Sequence, residues 1–324
     1  MLPNGRRLGP HLPLAAGMVR AADRAGAIGA SAVQIFVDNP TSWRRRPALP
    51  DELPAFRNRL AARDITSISV HAPYLVNLAT PDDDVWERSV ELLASELRVA
   101  AAYGAAFVNV HTGSHRGAGA EAGISRIAEG LGRAVERAGE TGDGVAVVLE
   151  NGPGAGFGLG RSPGELGAID RAAAVAGVPR HRLGFCLDTA HLWGAGYDVG
   201  TVEGVDELLE LFDAQVGLDR LRLVHLNDSR SAMGAGADRH EHLGCGRIGT
   251  DGLARFLVHP ALHGVAYIIE APGMEEGWDV VNLARARDLA EGRPLAPLPP
   301  SAFQTRSARG RSAPPEPDAV ASGS

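Results

Sequence analysis

Alternation is the feature that most narrows the folds open to this chain. Eight short, mostly apolar runs, at 7–11, 32–37, 66–71, 107–111, 146–150, 184–188, 221–225 and 266–270, recur with segments of helical periodicity between them. Short, uniformly apolar runs are what strands look like when both faces of a parallel sheet are buried. The first run is interrupted by Gly9 and Pro10, residues that weaken a strand interior. Helices are expected over 14–28, 52–63, 123–139, 202–216, 250–257 and 277–290, and two more are marked by their starts. One opens at Thr80-Pro81-Asp82-Asp83, where a Thr cap, a Pro in the first turn and acids at the positive helix end coincide, and Val90, Leu93, Leu97 and Ala101 then keep to one face. The other opens at Ser162, with Glu165 spaced as a capping box. Eight strands alternating with eight helices over residues 1–290 predict an α/β fold, a closed (β/α)8 TIM barrel acting as one catalytic domain. An open doubly wound sheet is the alternative, but its Gly-rich nucleotide turn is missing: the best stretch, 152–160, fits GxGxxG in no register. Beyond it, residues 291–324 are rich in Pro, Ala, Ser and Arg without apolar periodicity, so a disordered tail is expected there, with Arg306, Arg309 and Arg311 as solvated charges.

In such barrels active sites are built at the carboxyl ends of the strands. Here the third to eighth runs end on His71, His111, Glu150, Asp188, His225 and Glu270, and the loops after the sixth and seventh add His191, Asp238 and His240. Four acids and five imidazoles at one rim would repel and desolvate badly without cations among them. They are too many for one tetrahedral ion, and suit two or three ions if a carboxylate bridges. Imidazole and carboxylate without thiolate favour Zn2+, with Mn2+ or Fe2+ as alternatives, over an all-oxygen Mg2+ site. Clustered divalent ions suit phosphoryl chemistry, because they can supply a hydroxide nucleophile, hold a phosphate oxygen and stabilise a leaving alkoxide.

The net charge of −7 gives no support for a nucleic-acid partner, yet three bound divalent cations would bring it to about −1. All 32 basic residues are Arg, whose planar fork grips phosphate in a two-pronged way that Lys cannot. Cys186 and Cys245 are the only cysteines, so a disulfide framework is not expected and a reducing cytoplasm is the natural compartment. The first 19 residues lack the apolar core of a secretory leader, and no apolar run approaches the roughly 18 residues of a membrane span, so no membrane association is expected.

Taken in order, HAPYLVNLA from His71, NVHTGSH around His111, LEN around Glu150, CLDTAHLWGAGYD around Asp188, HLNDS from His225, DRHEHLGCGRIG from Asp238 and the run ending in Glu270 resemble the endonuclease IV family of apurinic/apyrimidinic endonucleases, over residues 7–290. The resemblance implies a trinuclear zinc enzyme of base excision repair, working as a monomer on double-stranded DNA that contains abasic sites. It would hydrolyse the phosphodiester 5′ to the lesion and leave a 3′-OH. It also implies that His71 and His111 hold one ion, that the catalytic Glu150 bridges it to a second completed by Asp188, His225 and Glu270, and that His191, Asp238 and His240 hold the third. Tyr74 stands where the family places a tyrosine at the lesion, and Arg44, Arg45 and Arg46 are candidate phosphate contacts. Thr41 departs from the pattern, which has at that position an Arg that enters the duplex. Two rivals share the fold. A xylose-isomerase-like sugar isomerase or epimerase would leave His191, Asp238 and His240 surplus, and a non-catalytic binder of damaged DNA would need no full ligand set.

Overall fold

The computed structural model describes residues 1–305. Eight parallel strands close into a barrel: β1 (Leu8–Leu12), β2 (Ala32–Ile35), β3 (Ser67–His71), β4 (Phe107–His111), β5 (Ala146–Glu150), β6 (Leu183–Asp188), β7 (Leu221–His225) and, after the short hairpin β8 (Asp228–Ser229) and β9 (His240–Glu241), β10 (Ala266–Ile269). The barrel closes by pairing β1 with both β2 and β10. Pro10 is accommodated inside β1, one residue before His11. The strands are buried almost throughout, as their apolar runs require.

The helices α1 (Met18–Ala27), α2 (Leu53–Ala62), α3 (Asp83–Tyr103), α4 (Ala120–Ala138), α5 (Pro163–Val175), α6 (Thr189–Ala195), α7 (Val202–Gln215), α8 (Asp251–Val258) and α9 (Trp278–Ala290) alternate with the strands. α3 is capped by Asp82, whose carboxylate accepts from the Val85 amide, rather than by Thr80 as expected; the Thr80 hydroxyl accepts from the Asp82 amide and so shapes the approach. Ser162 does cap α5, accepting from the Glu165 amide. One strand–helix step holds two helices, because α6 ends at Gly196 in a left-handed conformation that turns the chain toward α7. No helix among the described residues is long and apolar enough to cross a membrane.

Register delivers the rim. His111 pairs with Glu150, and Asp188 pairs with His225. The second pairing depends on an irregularity at Phe185/Cys186, where one step along β6 spans two along β7; such bulges re-aim the side chains beyond them. At the opposite face, buried Arg220 bonds both carboxylate oxygens of Asp170 and the Leu183 carbonyl, while buried Arg182 donates to Val145 and Gly142 carbonyls. The chemistry is thus gathered at one end and the stabilising ties at the other.

The expected tail begins too early at 291. Leu295 packs on the core, Ala302 and Thr305 are buried, and the Ala296 and Ala302 carbonyls accept from Arg285 and His242. Frequent prolines gave this strap no helical or strand periodicity to read, yet Leu295, Ala302 and Thr305 turn inward and the Ala296 carbonyl accepts from Arg285 on α9. Residues 306–324, with Arg306, Arg309 and Arg311, lie outside the described residues.

Candidate metal centre

The nine side chains singled out from the sequence meet in one place. His71, His111, Glu150, His191, Asp238, His240 and Glu270 line a cleft of about 760 Å3 at the carboxyl end of the barrel, and fully buried Asp188 and His225 lie behind it against His240 and Glu150. Glu150 is at the centre. Its Oε2 lies 3.6 Å from His71 Nε2 and 3.5 Å from His111 Nε2, and its Oε1 lies 3.2 Å from His191 Nδ1 and 3.4 Å from His225 Nδ1. One carboxylate therefore presents its two oxygens to two separate pairs of imidazoles. Asp188 Oδ2 is 3.8 Å from His225 Nδ1 and 3.6 Å from His240 Nε2, and Asp238 closes the outer side, 2.9 Å from His240 and 3.4 Å from His191.

The rings are oriented from behind. His71 Nδ1 donates to the Ala72 carbonyl at 2.7 Å, His191 Nδ1 to the Asn151 carbonyl at 2.8 Å, and His240 Nδ1 to the Glu270 carbonyl at 3.1 Å. A carbonyl only accepts, so those nitrogens carry the ring hydrogen and the opposite nitrogens turn lone pairs into the cleft. A lone pair facing a carboxylate is repulsive unless a cation lies between them. His225 makes the same point more sharply: its Nδ1 is buried without a hydrogen-bond partner among the described residues, with oxygens of Glu150 and Glu270 each 3.4 Å away. Orphaned buried nitrogens among carboxylates are the donor set of a divalent cation. Three triads lie close enough to share an ion each: His71, His111 and Glu150; Asp188, His225 and Glu270; Asp188, His191 and His240. A fourth would use Cys186, but burial pushes its thiol up to about 11, which keeps it protonated and a poor ligand.

The electrostatics ask for positive charge. Burial opposes charge on His240, yet the Asp238 hydrogen bond and Asp188 outweigh it and push the imidazole up to about 9. Burial likewise opposes ionisation of Glu150, but His225 and His111 hold it well below the usual carboxylate range. Asp188 goes the other way, raised by burial and by neighbouring Glu150.

Four polar neighbours hold the carboxylates, and sequence reasoning assigned a role to none of them. Asn109 donates to Glu150 Oε2 at 2.5 Å, Asn227 to Asp188 Oδ2 at 2.7 Å, and Gln34 and His11 both bond Glu270 Oε1. The usable signal was a lone amide at an inward position of an otherwise apolar strand, as in AVQI and FVNVH. Asp228, just past β7, is buried and accepts from the Ser229, Gly246 and Ile248 amides, so it folds the loop, and Gly246 approaches it too closely to carry a Cβ.

The candidate DNA contacts divide. Tyr74 is 58% exposed at the cleft mouth, edge-on to Phe36 at 5.4 Å and 5.7 Å from His71. Arg44 is exposed. Arg46 is exposed but bonds Asp38 at 2.8 Å. Arg45 is turned inward, bound to the Ser42 carbonyl and 3.3 Å from buried Glu96 on α3, so it anchors the loop rather than reaching out from it.

Residues 22–292 match the family described as xylose isomerase-like TIM barrel. Over 284 residues the chain is 42% identical to the probable endonuclease 4 of Methanoculleus marisnigri, which spans 87% of this chain and 98% of that protein. The chain belongs to the endonuclease IV family. Its likeness to a second member, the probable endonuclease 4 of Halothermothrix orenii, is 38% over 283 residues, 86% of this chain and 99% of the other. The crystal structure of endonuclease IV from Thermus thermophilus superposes with a TM-score of 0.75 at 38% identity, covering 88% of this chain and 99% of that one. An L-ribulose 3-epimerase, at 18% identity and a TM-score of 0.61, covering 89% and 93%, shares the barrel alone.

Proposed function

We propose that this endonuclease IV-family chain is a metal-dependent apurinic/apyrimidinic endonuclease that hydrolyses the DNA phosphodiester 5′ to an abasic site and leaves a 3′-OH. The observation that carries the reading is Glu150, whose Oε2 faces His71 Nε2 and His111 Nε2 and whose Oε1 faces the orphaned His225 Nδ1, in a cleft into which His191 and His240 turn their Nε2 lone pairs. We assign His71, His111 and Glu150 to one zinc ion, Glu150, Asp188, His225 and Glu270 to a second, and His191, Asp238 and His240 to a third, with Mn2+ or Fe2+ able to take the same donors. Bound there, the ions supply a nucleophile at neutral pH and neutralise charge on the phosphate and the leaving oxygen. The chain's own groups do the rest. Asn109 and Asn227 fix the Glu150 and Asp188 carboxylates. Tyr74, its hydroxyl pushed up to about 12 by burial and by Glu270 and Glu150, stays protonated at the cleft mouth as a donor with an open ring face.

The surface around the cleft suits a macromolecule better than a small polyol. Trp43, Leu49, Tyr74, Phe157 and Met233, all exposed, sit on loops that follow barrel strands, and exposed Arg44, Arg116 and Arg239 sit there too. Stacking surfaces and cations together are what a nucleic-acid backbone with displaced bases needs. The deciding experiment is incubation of the zinc-loaded protein with a labelled duplex carrying one abasic site, beside a panel of ketoses. One nick with a 3′-OH terminus is expected. Sugar turnover without nicking would instead favour an epimerase, and tight binding without cleavage a binder. Metal analysis is expected to find three ions per chain.

Two substitutions read the DNA surface. Tyr74→Ala is expected to weaken binding to an abasic duplex by about tenfold, the equivalent of roughly 1.4 kcal/mol of lost stacking, with undamaged-duplex binding and Tm unchanged; fluorescence anisotropy on the two duplexes measures this. Arg44→Ala should weaken binding to both duplexes alike and reduce the salt slope of log K by about 1. Arg45→Ala should lower Tm instead. It leaves Glu96 buried beside empty space, where burial already pushes that carboxyl up to about 8 even with Arg45 opposite.

A further inference from the structure

Gln34 is a fully buried amide in the middle of an apolar strand. Across the barrel wall its Cα pairs with His11 on β1 and Ser69 on β3, so three polar side chains stand at one level beneath the cleft. The Gln34 carbonyl oxygen accepts from His225 Nε2 at 3.1 Å and from the Ser69 hydroxyl at 3.3 Å. Its amide nitrogen donates to Glu270 Oε1 at 3.0 Å, and His11 Nδ1 bonds the same oxygen at 2.8 Å. The two donors converge on one oxygen, which leaves them 3.2 Å apart. The amide has one orientation that serves both neighbours, because a carboxylate only accepts and must face the NH2 end.

That orientation has two consequences. Since the Gln34 oxygen only accepts, His225 carries its hydrogen on Nε2, and its Nδ1 lone pair is left facing Glu150 and Glu270. Since Glu270 Oε1 is occupied by two close donors, Oε2 faces the cleft with only a long contact from Asn227 Nδ2 at 3.5 Å among the described residues, and lies 3.4 Å from that same Nδ1. A single side chain thus chooses a tautomer for one donor and a free oxygen for another. His11 adds an aromatic wall: its ring is tilted against Phe36 at 4.5 Å and stacked on His71 at 5.8 Å.

We propose that Gln34 and His11 are positioning residues that preset His225 and Glu270 for the cation shared with Asp188. The proposal rests on the metal-centre reading above. Groups behind a metal ligand typically alter affinity by about 10–100-fold when removed, and here the effect should be confined to one ion. Gln34→Met keeps the length and apolar packing of the side chain but cannot donate to Glu270, and His11→Phe keeps an aromatic ring against Phe36 while losing the Nδ1 donor.

The test is zinc stoichiometry after dialysis, with a competing chromogenic chelator to read affinity, on the full-length protein and on both variants. Thermal unfolding of the metal-stripped proteins runs alongside. The expected result is that wild type retains three ions, that Gln34→Met retains two and binds the remaining one about 10–100-fold more weakly, that His11→Phe shifts the same ion by less, and that the stripped Tm values match. Wild type without bound ions would overturn the metal-centre reading and the proposal with it. Wild type with three ions, and variants that hold all three as tightly, would overturn the positioning role alone. Loosening of all three ions together with a lower stripped Tm would also overturn it, by showing that the amide merely supports the barrel.

Discussion

Glu150→Ala is expected to slow incision at an abasic site by roughly a thousandfold or more, which corresponds to about 4 kcal/mol of barrier. The expectation follows from where the carboxylate stands. Glu150 is 1% exposed, receives the Asn109 amide, and offers one oxygen to His71 and His111 and the other to His191 and His225. Alanine removes the group that links His71 and His111 to His225. It also removes a negative charge that His225 and His111 hold ionised against the cost of burial, so the neighbouring imidazoles lose their attraction for a cation and their fixed spacing at once. Glu150→Gln separates these effects: the amide keeps the volume, but it cannot bridge as an anion, and it should be nearly as inactive while unfolding at a similar temperature. Single-turnover nicking and zinc content, measured on the same preparations, check both. Near-normal cleavage by the alanine variant would end the assignment of Glu150 as the bridge.

Much of this site was legible because the (β/α)8 fold turns sequence position into spatial position. A polar residue at the end of an apolar run is a rim residue once the barrel closes, and His71, His111, Glu150, Asp188, His225 and Glu270 all end such runs. What the rim hid were the residues one level down. Gln34 looks like an imperfection in an apolar strand until the register sets it beside His11 and Ser69, and Asn109 looks the same until the pairing of β4 with β5 puts it under Glu150. Such contacts join residues far apart in sequence, so no local pattern records them.

The arginine run divides for a related reason. Charge says that a side chain prefers water, but not which of three neighbours meets a buried carboxylate. Asp38 and Glu96 take Arg46 and Arg45, so that Arg45 is turned inward, Arg46 is exposed but paired, and Arg44 is exposed without either carboxylate. The helix start at Thr80 shifted by two residues because Thr80, Asp82 and Asp83 are all competent caps, and the cap that wins is the one whose carboxylate reaches the Val85 amide.

Ending the chain after Gly292 is expected to lower Tm by about 3–5 °C, whereas ending it after Thr305 should leave Tm within a degree or so of the full chain. The difference is the strap. Its Ala296 carbonyl accepts from Arg285 at 2.6 Å and its Ala302 carbonyl from His242 Nε2 at 3.0 Å, while Leu295 and Ala302 pack on the core. Removing those contacts while regaining chain entropy leaves a net loss of roughly 2–3 kcal/mol. The cost should not stop at stability. His242, held also by Asn282 and packed 5.5 Å from Trp278 and 5.8 Å from Phe303, lies two residues beyond His240 on the segment that carries Asp238. With the strap gone, His242 loses one of its two side-chain hydrogen bonds and its contact with Phe303, and the segment that presents Asp238 and His240 to His191 is less well fixed. The shorter chain should therefore release one ion more readily than the full chain, and the Thr305 truncation should not. Thermal scans of zinc-loaded and chelator-stripped proteins separate the two contributions: a Tm gap that persists after stripping belongs to packing, and any extra gap seen only with zinc belongs to the metal centre. Equal Tm values for the two truncations in both states would show that the strap contributes nothing measurable to either.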